Sequence, residues 1–116
     1  MSGFKELKVW NLSMELVQKV YQDTKGFPQS EIYGLVSQMR RSAVSIPSNI
    51  AEGSSRNNHK EFIQFLYIAQ GSLSELDTQI IISARLGYTI QYEPYDELFK
   101  QIRSMIAGLI KSLQPK

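Results

Sequence analysis

The sequence predicts an all-α protein, an antiparallel up-down-up-down four-helix bundle. Three observations lead there. Four segments place apolar residues mostly at steps of three and four, the spacing that lines one face of a helix. The joints between them are short, with Gly26, Pro28, Gly53, Gly87 and Pro94 marking helix ends and starts. No segment alternates apolar and polar residues over a comparable length, as a half-buried strand would.

The first segment spans about 4–25. Leu7, Trp10, Met14, Val17 and Tyr21 form its stripe, widened by Leu16 and Val20. Gly26, Phe27 and Pro28 end it, because glycine suits a left-handed C-terminal position and proline cannot continue a helix. The second spans about 30–54. Ser30 is a good N-cap, with Glu31 in the first turn where the helix dipole favours an anion. Ile32, Leu35, Met39, Ala43, Ile46 and Ile50 repeat the pattern, and it does not break at Pro47. One long helix kinked near Ala43 to Pro47 reconciles these facts. A helix that stops at Ser45 is the alternative, since the residue before proline disfavours the helical region.

The third segment spans about 58–87, with Asn57 or Asn58 able to cap it. Phe62, Leu66, Ala69, Leu73, Leu76 and Ile80 form one stripe. A second, Phe65, Ile68, Ser72, Glu75, Gln79 and Ile82, turns from apolar to polar and back, as a helix buried on more than one side reads. Gly71 suggests close approach by a neighbour. The last helix spans about 94–113, with Pro94 in its first turn and Leu98, Ile102, Met105, Ile106, Leu109 and Leu113 facing inward. All 116 residues then form one domain.

Composition narrows the function. There is no cysteine, so disulfides, zinc-thiolate sites and cysteine nucleophiles are excluded. The N-terminus has no signal-peptide run, and no stretch approaches a membrane span, so a cytoplasmic protein without a membrane partner is expected. The formal net charge is +2, with eight basic and five acidic residues up to Lys60.

Chemistry is mostly missing. A di-metal carboxylate bundle needs two Glu-x-x-His pairs. Here the one histidine, His59, has Arg56 three residues before it. No metal and no cofactor are expected. His59 at a helix start reads as a solvated residue without a catalytic partner. No phosphate loop and no nucleophile elbow occur. Glu52 and Glu75 could serve as paired carboxylates, but they read more simply as buried partners in a helix-to-helix polar network. No catalytic residue is assigned, and an enzyme is not expected.

Two sets of residues stand out. Ser45, Asn49 and Glu52 share one helical face around Pro47 and Gly53, with Ser72 and Glu75 as candidate partners. They are expected to satisfy buried groups at the bend or at a subunit contact. Arg40, Arg41, Arg56 and Lys60 fall within a stretch whose one acid is Glu52. Arg and Lys contacts to phosphates give sequence-independent affinity for nucleic acid. A solvated helix face explains four such charges equally well, as does pairing of Arg40 or Arg41 with Glu52 or Glu75. Oligomerisation follows from the third helix, where Phe65, Tyr67 and Ile68 cannot all enter one core and would leave an apolar interface.

The run Tyr33-Gly34-Leu35, then Gln38-Met39-Arg40-Arg41-Ser42-Ala43-Val44-Ser45-Ile46-Pro47-Ser48-Asn49-Ile50-Ala51-Glu52-Gly53, resembles the central signature of a family of four-helix bundles. These are the proteins encoded by intervening sequences in bacterial large-subunit (23S) ribosomal RNA genes. Glu61-Phe62, Phe65-Leu66, Ile68-Ala69, Gly71-Ser72-Leu73 and Glu75-Leu76 extend the match. Phe4 to Trp10 and Phe27-Pro28 also fit, while the last helix matches only in pattern. The resemblance implies a small cytoplasmic homo-oligomer, typically a five-fold ring, with no established enzymatic activity. A related protein, the accessory variability determinant of diversity-generating retroelements, is similar in fold. It is a basic pentamer that binds nucleic acid and a reverse transcriptase. The modest charge of this chain departs from that relative. Three functions follow as expectations. The first is weak binding of RNA, DNA or a nucleoprotein partner through Arg40, Arg41, Arg56 and Lys60. The second is a protein-interaction scaffold. The third, an RNA-processing enzyme, has no residue set behind it.

Overall fold

A computed structural model describes residues 3–115. Four helices account for most of them: α1 (Lys8–Thr24), α2 (Leu35–Ser54), α3 (His59–Arg85) and α4 (Glu93–Leu113), with no strand among the described residues. Each helix packs against its neighbour in sequence, and α4 closes back on α1. The chain forms a rod of 48 × 21 × 21 Å. The core between the helices is built from Leu16 and Val20 of α1, Met39, Ala43, Ile46 and Ile50 of α2, the Leu66-to-Ile80 stripe of α3, and Tyr95, Phe99, Ile102 and Ile106 of α4.

The expected first helix is divided. Phe4–Glu6 form a 3₁₀ turn, and extended Leu7 (φ −74°, ψ 126°) separates it from α1. The buried face of α1 is Val9, Ser13, Leu16, Val20 and Thr24. The expected stripe lies one position around the helix: Met14 and Tyr21 are exposed, and Trp10 and Val17 are half-buried. Serine and threonine can occupy the core face because Ser13 and Thr24 donate their hydroxyls to Val9 and Val20 carbonyls one turn back. That satisfies the buried oxygen without a partner on another helix.

The second helix begins later than expected. Gln29–Glu31 form a 3₁₀ turn, Ile32 and Tyr33 are exposed, and Gly34 is non-helical at φ −110° and ψ −113°. Ser30 lies inside the 3₁₀ turn and does not cap. Glu31 does that work: its Oε1 accepts from the Leu35 amide at 3.2 Å. Gly26 does not adopt a left-handed conformation; Gly87 does, at φ 83°. It closes α3 with the paired bonds Tyr88 N–H to Ser83 O and Gly87 N–H to Ala84 O, the Schellman arrangement. At the other end Asn58 is the cap, accepting from the Glu61 amide at 3.1 Å.

The helix does not stop at Ser45. α2 continues through Pro47, which is buried. Near its end, Gly53 lies against α3, and a Cβ there would meet Phe65 Cβ at 2.7 Å and Phe62 Cδ1 at 2.8 Å. The close approach expected at Gly71 is not made within the chain, since Gly71 is exposed and a Cβ there would meet nothing within 4 Å. The two glycines therefore predict opposite outcomes. Gly53→Ala should lower stability by about 1–3 kcal/mol through overpacking. Gly71→Ala should raise it by about 0.5–1 kcal/mol through helix propensity. Urea-unfolding midpoints of the two variants check both signs.

Candidate nucleic-acid interface

Both sets of residues singled out in the sequence are spread over α2, the turn after it and α3. Arg40 and Arg41 lie near the start of α2, and Arg56 follows its end. Fourteen residues of helix separate Arg40 from Ser54, about 21 Å of axial rise. The four cations therefore form two sites, not one. At the far site Arg56 pairs with Glu52 at 2.8 Å and Glu61 at 3.6 Å, and its guanidinium lies over Phe65 at 5.0 Å. Lys60 and His59 are exposed in the first turn of α3. Two carboxylates beside Arg56 cancel much of that site's positive field.

The near site is different. Arg40 crosses to the end of α1, donating from Nε to Thr24 Oγ1 at 3.0 Å and from Nη2 to the Tyr21 carbonyl at 3.4 Å. Its guanidinium stacks 4.5 Å over the Tyr21 ring. A cation suits a helix C-terminus, where last-turn carbonyls leave partial negative charge, and the aromatic face adds a further attraction. Arg40 pairs with neither Glu52 nor Glu75. Arg41 is exposed beside it, with no ion pair among the described residues. Together with Lys25 and Tyr33 these side chains line a groove of about 660 Å³ at the junction of α1 and α2, and no acidic residue lines it. Lys25 and Tyr33 were missed in the sequence. The signal for them is spatial, since the α1–α2 connection brings them to the groove that Arg41 also lines.

Gln29, Ile32 and Tyr33 form one wall of the groove, on a turn that the α3–α4 connection braces. Tyr88 donates its hydroxyl to Glu31 Oε2 at 2.6 Å and stacks on Phe27 at 5.1 Å. Thr89 donates to the Gly26 carbonyl at 3.4 Å. The bond from Tyr88, and then that from the Leu35 amide, holds the Glu31 carboxyl below its usual range. The same bond pushes the Tyr88 phenol up.

The polar residues around Pro47 sit on the α2–α3 seam. Ser45 and Ser72 share a hydrogen bond at 2.8 Å, Asn49 donates Nδ2 to the Ser45 hydroxyl and carbonyl, and Ser42 donates to Glu75 at 3.3 Å. Glu52 and Glu75 are exposed rather than buried. Glu75 faces Ser42, and Glu52 is ten residues further along α2, about 15 Å. That is too far for two carboxylates to flank one bond. No group of three or more His, Cys, Asp or Glu among the described residues could hold a metal ion. No helix is long and apolar enough to cross a membrane.

Residues 5–111 match the family described as 23S rRNA-intervening sequence protein, and the chain belongs to that family. A search of curated proteins gives no match.

The brace on the groove wall has a pH signature. Because the Glu31 carboxyl is held below its ordinary value of 4.5, its contribution is complete above that value and lost as pH falls through the lowered one. Tyr88→Phe should therefore unfold at lower urea than the parent at pH 7. The gap should shrink as pH falls below 4.5 and through the lowered value of Glu31.

Proposed function

We propose that the protein is a non-enzymatic, self-associating bundle of the cytoplasm that binds nucleic acid weakly through the groove at Arg40 and Arg41. The acid-free lining of that groove carries the reading. In a chain whose net charge is only +2, a concave surface with three cations and no carboxylate is where a phosphate backbone gains most. Arg56 and Lys60, at the opposite end of α2, contribute less because Glu52 and Glu61 pair with Arg56.

Self-association rests on two unlike apolar surfaces. Phe4, Trp10, Met14, Val44 and Pro47 line an open groove between α1 and α2. Tyr67 and Ile68 are 54% and 51% exposed on α3, and α3 makes no substantial contact with α1. Two different patches on separate sides favour a head-to-tail contact that closes into a ring, the pentamer being the favoured order. The up-down-up-down course is supported by the meeting of the α1–α2 and α3–α4 connections at one end. A bend near Pro47 follows from its missing amide donor and would shape the wall that carries Val44 and Pro47.

Two measurements test these readings. Binding of a structured RNA over a salt series should be lost in Arg41→Glu and only weakened in Arg56→Ala. No binding at low salt, or none of this difference, would favour a scaffold that docks only proteins. Light scattering should show Met14→Glu and Ile68→Glu each as monomers. An equimolar mixture should give dimers, because one intact groove and one intact α3 patch remain. A parent protein that is monomeric at micromolar concentration, or a mixture that stays monomeric, would overturn the ring.

A further inference from the structure

Tyr33 is 96% exposed. The ring stands in water at the edge of a cationic groove, next to a hydrogen-bonded turn. The Gly34 amide donates to the Glu31 carbonyl at 3.0 Å. Glu31 is itself held by Tyr88 at 2.6 Å and by the Leu35 amide at 3.2 Å. Tyr33 is thus fixed on a braced turn, its ring presented at the lip of the groove that Lys25, Arg40 and Arg41 line. Arg40 is already committed to Thr24 and to the face of Tyr21, which makes it a fixed charge. Arg41 and Lys25 remain for direct contact, with no ion pair among the described residues.

An exposed aromatic beside a basic groove is the arrangement that holds single strands, because every unpaired base offers a face to stack while the backbone follows the cations. A duplex keeps its bases stacked on each other and offers only phosphates. We propose that Tyr33 is a stacking platform for one unpaired base of a single-stranded nucleic acid, whose neighbouring phosphates lie against Arg41 and Lys25. This rests on the nucleic-acid reading above and sharpens it. The ligand is a single-stranded segment, a loop or a free end, and its base contributes as well as its charge.

Fluorescence anisotropy with a labelled single-stranded 12-mer, as RNA and as DNA, and with a duplex of the same length, tests this at low salt. Tyr33→Ala is safe for folding, because the side chain it removes is in water. It should weaken single-strand binding by about 5- to 100-fold, the range for removal of one stacking aromatic. Tyr33→Phe should bind like the parent, and duplex binding should be unchanged in both. The salt dependence separates the two contributions. Arg41→Ala should reduce the slope of log affinity against log salt by about 0.7, as one lost phosphate contact does on a single strand, while Tyr33→Ala should leave the slope unaltered. If Tyr33→Ala binds the single strand like the parent while Arg41→Ala weakens it, the stacking platform is wrong and the nucleic-acid reading stands. If the parent binds neither strand form, both are wrong.

Discussion

The close approach of α2 to α3 governs the rest of the molecule. These helices make the most extensive contact in the bundle, and small residues make it possible. Ser42 and Ala43 of α2 and Ala69 and Ser72 of α3 are buried. Gly53 leaves no room for a methyl group against Phe65 and Phe62. Small side chains bring two backbones close, and hydroxyls on the facing sides can then reach partners across the contact. The Ser45–Ser72 bond and the Ser42–Glu75 bond do so at the seam. Ser42, Ser45, Asn49 and Ser72 of the polar motif around Pro47 are thus engaged with one another and with Glu75 along this seam.

That packing fixes which faces are left over. With one side of α2 committed to α3, its flank toward α1 is partly open, and there Val44 and Pro47 meet Trp10 and Met14 in an apolar groove. Further toward its start the same flank carries Arg40, whose guanidinium replaces bulk water at the C-terminus of α1. One helix therefore contributes to an apolar groove and to a cationic one, separated only by position along its axis.

A second constraint acts at the end of the rod. The two connections there, 25–34 and 86–92, carry little regular structure, yet they are cross-tied by Tyr88, Thr89 and Phe27. Below them Tyr95 donates to Asp23 across α4 and α1 at 2.7 Å. Tyr92 donates to Asp77, which pushes its phenol up to about 12, and Arg103 reaches the same carboxylate at 3.1 Å. Three tyrosine–carboxylate pairs thus hold the connections and helix ends in register. This rigidity gives an exposed turn such as that of Tyr33 a defined position.

Periodicity alone determined that there are four helices and where the α3 core stripe from Leu66 to Ile80 lies, because each is a local property of helical geometry, whereas Asn57 and Asn58 are equal candidates for the cap of α3 until the structure gives the bond to Asn58. It also carried the helix through Pro47, since the apolar spacing persisted there. Tertiary structure decided the rest. A stripe shows that one face is apolar, but not which edge of that face a neighbour covers, so the core of α1 proved to be Val9, Ser13, Leu16, Val20 and Thr24. A glycine shows that a side chain is missing, but not whether anything occupies the space, so the tight contact lies at Gly53 and not at Gly71. Charges close in sequence were split by a rigid helix into two ends, one neutralised by Glu52 and Glu61 and one open beside Lys25 and Tyr33. Linear spacing measures distance along the chain, whereas a groove is set by which connections the packing of helices brings together.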